Sequence, residues 1–261
     1  MSRITVIGAG PLGRVTIAEL TRQGHDVTVA SRSRVTLPAA TWVPVDVASG
    51  KGLDQLPASE AIVVCFGPPY AIAAWQRIWP VAIDNLIGAA QANDATLVLT
   101  GNLYAYARDR MPMRATDPLR PSTALGEVRA EVTRRLFAAH EQGRIRAVEV
   151  RGSDYLGADA PDAYLGRRLI TPLLAGKAAG VIGDPDADHT WTAVSDFGRL
   201  LARGATDQEM AGRAWHVPSA PAISVRDLAT RALRIAGVDA QPRFRTIPPA
   251  MVTVMGYFSA Q

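Results

Sequence analysis

Apolar positions in the first 150 residues alternate between short dense runs and longer stretches of helical spacing. Ile4, Val6 and Ile7 form a β-branched run. Val15, Ile17, Ala18 and Leu20 then continue with helical spacing, predicting a helix over 12–23 that Gly24 ends. Short strands are predicted at 27–30 and 42–45. Residues 61–66 are continuously apolar, as expected of a parallel strand buried on both faces. A long helix is predicted over 72–92, with Pro80 as a kink. Its stripe of Trp75, Ile78, Trp79, Ile83, Leu86 and Ile87 is most simply core, although such a helix could also pair two subunits. A strand at 96–100, a helix at 122–142 capped by Ser122 or Thr123, and a strand at 145–150 complete the series.

Strands alternating with helices predict an α/β fold, a doubly wound parallel sheet of Rossmann type, with a small C-terminal substrate lobe. The second part is looser. It reads as a helix over 164–175 interrupted by Pro172, and short strands at 180–183 and 190–194. A helix over 196–204 capped by Ser195, a strand at 214–217 and a helix over 225–236 capped by Ser224 follow. The expected division is 1–153 as a dinucleotide-binding core and 154–261 as the lobe plus elements returning to the sheet, with a soft boundary. Beyond Pro248-Pro249 comes an apolar tail (Met251, Val252, Val254, Met255, Tyr257, Phe258), expected to cover the pocket or meet a partner subunit.

The first turn carries the most specific chemistry. Gly8, Gly10 and Gly13 form G-x-G-x-x-G between the first strand and its helix. Gly8 allows the tight turn, Gly10 has no side chain to hold a pyrophosphate away, and Gly13 lets helix and strand pack closely. The free N–H groups of the helix's first turn face the phosphates, and Pro11 (which has no N–H) and Leu12 are expected in the same cofactor site with Gly13. The second strand runs into Ser31-Arg32-Ser33-Arg34. An NAD site usually has a carboxylate there for the ribose 2′-hydroxyl. Arg32 and Arg34 can instead pair with a 2′-phosphate, with Ser31 or Ser33 donating to it, so NADP is expected over NAD. Asp46 either meets the adenine amino group or caps a turn. Phe66, Gly67 and Pro68 end the fourth strand at the carboxyl edge of the sheet, where ligands bind in such folds.

Composition narrows the class. The 261 residues are 48% hydrophobic and 20% charged, typical of a globular chain. No apolar run reaches the ~18–20 residues of a membrane span, and the immediate first strand is read as leaving no room for a signal peptide. One cysteine, Cys65, excludes an internal disulfide and a multi-cysteine metal site. A cytoplasmic protein without a metal is expected. The net charge is +4, almost all of it from scattered arginines, so neither a nucleic-acid nor a membrane partner is expected. The partner is expected to be a small-molecule substrate.

The glycine turn, the Gly67-Pro68-Pro69 break, the end of the fifth strand and Val194-Ser195-Asp196 together resemble the short-chain dehydrogenase/reductase superfamily. The resemblance is to its extended, epimerase/dehydratase-like branch and spans nearly the whole chain. Thr190 to Asp196 looks like the segment entering a helix over the substrate lobe. Trp215-His216-Val217-Pro218 resembles the strand after it. Arg151-Gly152-Ser153-Asp154-Tyr155-Leu156-Gly157 is similar to the stretch after the sixth strand, with Ala158 in place of the usual proline. The resemblance implies a catalytic Ser or Thr after the fifth strand, for which Thr100 stands, and a Tyr-x-x-x-Lys on the next helix. Here Leu125 and Arg129 occupy those two positions. Leucine donates no proton, and Arg129 could hold a ribose hydroxyl without acting as an acid. This likens the chain to atypical members of the superfamily.

Other acids are therefore sought. Tyr104 and Tyr106 lie just past the fifth strand, with Thr100 or Asn102 to position a substrate. Tyr70, Tyr104 and Tyr155 are expected to line the pocket. The expected function is an NADP-dependent oxidoreductase of a small organic or secondary-metabolite substrate. A cofactor-binding sensor without turnover and a sugar-nucleotide epimerase or dehydratase are the alternatives.

Overall fold

The computed structural model describes residues 1–107, 109, 111–161 and 163–247. The elements run β1 (Arg3–Ile7), α1 (Pro11–Arg22), β2 (Asp26–Ser31), β3 (Ala40–Pro44), β4 (Ala61–Val64), α2 (Ile72–Ala92), β5 (Thr96–Asn102), α3 (Ala124–Glu141) and β6 (Arg146–Gly152). They continue with β7 (Asp154–Leu156), α4 (Arg167–Leu174), β8 (Ala179–Ile182), β9 (Asp188–His189), β10 (Trp191–Ala193), α5 (Val194–Thr206), β11 (Arg213–His216), β12 (Ile223–Ser224), α6 (Val225–Ile235) and β13 (Phe244–Ile247). The apolar tail from Pro248 lies outside the described residues.

The chain forms two compact units, Met1–Gly152 with Ser195–Val217, and Ser153–Val194 with Pro218–Gln261. The first contains a seven-stranded sheet in the order β11-β6-β5-β4-β1-β2-β3, every neighbouring pair parallel. The order reverses between β1 and β4, and the crevice beyond the carboxyl ends of strands at such a reversal is where ligands bind in this architecture. Val63 and Val64 on β4 and Leu97 to Leu99 on β5 are fully buried because helices cover both faces of the sheet. One face is closed by α2 and α3, whose Trp79, Ile83, Leu86 and Leu136 join a single core cluster with Ile62, Val64, Leu97 and Leu99. Pro80 is accommodated inside α2, which matches the predicted span.

The second unit is built from short pairs. β7 pairs with β10 and β8 with β13, both parallel, and β9 pairs antiparallel with β12. Its core gathers Leu165, Leu169, Leu173, Val181, Trp191, Val225 and Leu233.

Local chemistry explains most boundaries. Thr123 accepts from the Gly126 amide at 3.1 Å and starts α3, and Ser224 accepts from the Asp227 amide at 3.0 Å and starts α6. Ser195 does not cap α5. The helix begins one residue earlier, at Val194, so Ser195 lies within its first turn.

Candidate functional site

The turn after β1 has the geometry its glycines require. Gly8 has φ +101°, and a Cβ there would lie 2.8 Å from the Cys65 carbonyl oxygen. A Cβ on Gly13 would lie 1.9 Å from the Gly8 carbonyl oxygen, so only glycine lets α1 start this close to the turn. A Cβ on Gly10 would meet nothing within 4 Å, and Gly10 is exposed. α1 begins at Pro11 without a side-chain cap and with no acidic residue in its first turn. Open space before an uncapped helix start fits a pyrophosphate. Beside the turn, burial pushes the Cys65 thiol up to about 12 against the pull of the Thr16 and Thr100 hydroxyls, which makes it inert.

At the end of β2, the Ser31 hydroxyl donates to Ser33 O at 2.8 Å and accepts from Trp42 Nε1 at 3.1 Å. Here its proton shapes the loop. Arg32, Ser33 and Arg34 are exposed. Asp46 caps a turn: its carboxylate accepts from the Ala48 amide at 3.1 Å and from the Ser49 hydroxyl at 2.9 Å.

At the ends of β4 and β5 the expected residues sort into two groups. Phe66 and Pro68 are half-buried and Gly67 is exposed, with Phe66 edge-on to Trp79 at 5.5 Å. Tyr70 and Tyr104 come together, the Tyr70 hydroxyl donating to the Tyr104 hydroxyl at 3.1 Å. Asn102 Oδ1 accepts from the Tyr104 amide at 3.1 Å, so this side chain shapes the turn that presents Tyr104. Thr100 differs from its expected catalytic role because its Oγ1 is buried beside Cys65. Tyr155 stands in the second unit on β7, in register with Thr192. In that unit His189 Nε2 pairs with Asp154 at 3.0 Å, and its ring packs on Trp191 at 4.3 Å.

Arg129 is turned into the core and does not present its guanidinium to a ribose. It is 3% exposed, donates from Nη2 to Thr100 O at 2.8 Å, and lies 4.8 Å over the Trp79 ring. Leu125 is partly buried against the same core.

Sequence reasoning missed the structure around Arg129. Glu149 on β6, only 1% exposed, is contacted by Arg129 at 3.4 Å, by the Thr133 hydroxyl at 3.0 Å and by Arg151 Nη2 at 2.6 Å. Arg151 also donates to the Tyr106 hydroxyl. Tyr106 is 2% exposed, and its oxygen lies 2.8 Å from His216 Nε2. Arginine only donates, so Tyr106 accepts from Arg151, and the direction of the bond between Tyr106 and His216 follows the histidine tautomer. A Cβ on Gly101 would lie 2.7 Å from Glu149 Oε1, so glycine in β5 makes room for the carboxylate. The available sequence signal was Glu149 and Arg151 two apart in one strand, hence on one face. Tyr106, one of the two candidate acids, is therefore a packed member of this network.

Burial, and then the Arg151 charge, hold His216 below the ordinary histidine range. Burial pushes Tyr106 up, with Arg151 opposing. The folded state therefore binds a proton at His216 less readily than the unfolded chain does. The stability this contributes is present above the unfolded value of about 6.5 and is lost as the pH falls below it towards the folded value. Thermal unfolding followed from pH 7.5 to pH 5 should show the melting temperature falling (~pH 6.5 marks the onset), with a shallower fall in His216→Gln. An equal slope in both proteins would contradict this role.

Solved structures share this architecture. MoeE5, solved in complex with UDP-glucose and NAD, superposes with a TM-score of 0.82 over 95% of this chain and 89% of that one, at 19% identity. The dTDP-glucose 4,6-dehydratase of Bacillus anthracis, solved with NAD, gives 0.82 over 95% and 85% at 14% identity. In sequence, the chain is 29% identical over 209 residues to a dTDP-6-deoxy-L-talose 4-dehydrogenase (NAD(P)(+)) of Kitasatospora kifunensis. That match covers 75% of this chain and 65% of the relative, so the chain spans just under two thirds of the relative's length. The model of the NAD dependent epimerase/dehydratase family matches residues 4–217, more than half of the chain. The chain belongs to this family.

Proposed function

We propose that the protein is an NADP-dependent reductase that works without the family's tyrosine–lysine pair. One observation carries the cofactor preference: β2 ends in the exposed segment Arg32-Ser33-Arg34, with no carboxylate to bind a ribose 2′-hydroxyl. Gly8 to Gly13 would hold the pyrophosphate, and Arg32 and Arg34 would hold the 2′-phosphate. When bound, the cofactor supplies a hydride. The chain's own part is to orient the acceptor and deliver a proton. Tyr104 Oη would give its proton to the acceptor oxygen, Tyr70, already donating to Tyr104, would restore it, and the exposed Tyr70 would take a proton back from solvent. Reduction then consumes one hydride and one proton, and Tyr104 ends neutral.

The relative is a dehydrogenase, which supports oxidoreductase chemistry, and its NAD(P)(+) designation leaves both NAD and NADP open. A second reading, a cofactor-binding regulator without turnover, is favoured by Leu125 and by the burial of Arg129. Steady-state oxidation of NADPH across a panel of conjugated carbonyl compounds separates the two. The reductase reading expects acceptor-dependent oxidation, lowered about a hundredfold in kcat by Tyr104→Phe, within the range general acids contribute. NADPH binding with no oxidation across the panel would favour the regulator.

A further inference from the structure

We propose that Trp42 is a positioning residue for the cofactor: through Ser31 it fixes the loop that carries Arg32 and Arg34, and so sets the preference for a 2′-phosphate. This rests on the NADP reading and names what enforces it. Every residue involved belongs to the first unit. β3 is an edge strand of the large sheet, and Trp42 pairs in register with Val29 on β2, two residues before Ser31. Side chains two apart on a strand share a face, so the half-buried indole lies on the Ser31 side of the sheet. Its Nε1 donates to the Ser31 hydroxyl at 3.1 Å, tying together residues eleven apart in the chain. Ser31 Oγ in turn donates to Ser33 O at 2.8 Å, which ties the carbonyl two residues on to the strand end. The backbone here is held as well. Ser31 O accepts from the Val45 amide at 3.2 Å, and Ala30 O accepts from the Gly8 amide at 2.8 Å. The loop therefore leaves β2 from a point fixed relative to the glycine turn.

An arginine–phosphate contact is directional, because a planar fork of N–H groups must meet the phosphate oxygens. Exposed arginines on a loose loop give up chain and rotamer freedom to make it. A loop ordered beforehand has already given up the chain part, so the contact forms at less cost. The latch from Trp42 through Ser31 to Ser33 does that ordering. It matters only to a ligand that the arginines grasp. NADH carries a hydroxyl where NADPH carries the phosphate and gains nothing from it. The latch therefore acts on the ratio of the two affinities, whereas a merely structural contact would act on both alike.

The test is calorimetric titration of the full chain with NADPH and with NADH, for the unaltered protein, Trp42→Phe, Ser31→Ala and the double variant, each with its melting curve. Trp42→Phe keeps a ring on β3 and removes the donor. Ser31→Ala deletes a single oxygen and carries the same test if Trp42→Phe does not fold. The latch predicts NADPH binding weakened about tenfold in each single variant and NADH binding changed less than about twofold. The double variant should lose no more than Ser31→Ala alone, because both substitutions act through one hydroxyl. An unchanged ratio of NADPH to NADH affinity in either single variant would overturn the proposal. So would an equal loss for both cofactors, or losses that add in the double variant. Equal affinity for the two cofactors in the unaltered protein would overturn the NADP reading and the latch with it. A preference for NADPH that the variants leave intact would overturn the latch alone.

Discussion

Glu149→Ala should lower the melting temperature by on the order of 10 °C. Glu149 is 1% exposed, and its carboxylate is the shared partner of Arg129 and Arg151, each 3% exposed. Removing the carboxylate leaves two guanidiniums in the core without their anion. Breaking a buried pair by deleting one partner typically costs about 3–5 kcal/mol, because the remaining charge stays desolvated. For a unit of this size each kcal/mol moves the melting temperature by roughly 2–4 °C. The damage should spread, since Arg151 donates to Tyr106 and Tyr106 is hydrogen-bonded to His216. Thermal unfolding by circular dichroism checks this. A variant melting within about 2 °C of the parent, a shift worth no more than ~1 kcal/mol, would show that the cluster contributes little.

Gly13→Ala should damage folding and cofactor binding together, and Gly10→Ala should damage binding alone. The added methyl at Gly13 would sit 1.9 Å from Gly8 O, a backbone atom held by the Gly8 amide's bond to Ala30 O at 2.8 Å. Either α1 or the turn must move, and overpacking of this kind costs about 1–3 kcal/mol. Moving α1 also takes its first-turn amides away from the pyrophosphate, so NADPH affinity should fall more than about tenfold, a loss of ~1.4 kcal/mol or more. Gly10 has φ −70°, which alanine adopts freely, and open space beyond it. Its variant should melt with the parent and bind NADPH more weakly, because the methyl projects where the phosphates approach. Paired melting curves and NADPH titrations measure both effects. Unchanged NADPH affinity in both variants would place the cofactor elsewhere.

The parts of the fold visible in the sequence are those with enough residues to show a period. The 72–92 helix and the parallel strands of the large sheet stood out by helical spacing and by unbroken apolar runs. β7, β9 and β12 have two or three residues each, too few for any period, and their pairing depends on neighbours distant in sequence. β13, which pairs with β8, was missed although it has four residues. The glycine turn was legible because each glycine answers a local steric demand. Arg129 was not, because its direction is set by Glu149, twenty residues away and on another element. Nothing within α3 distinguishes an arginine aimed at a ligand from one aimed at a buried carboxylate. Tyr106 was ambiguous for the same reason: its partners, Arg151 and His216, lie 45 and 110 residues further on.

An NADP-dependent reductase requires the end of β2 to bind the 2′-phosphate. Calorimetric titration of the unaltered protein and of Arg32→Ala with NADPH and with NADH tests it most directly. The account predicts NADPH binding at least about tenfold tighter than NADH, as expected of a charge-assisted arginine–phosphate contact, with the gap largely closed in Arg32→Ala and NADH affinity unchanged. Equal affinity for the two cofactors in the unaltered protein, or an equal loss for both in Arg32→Ala, would contradict it.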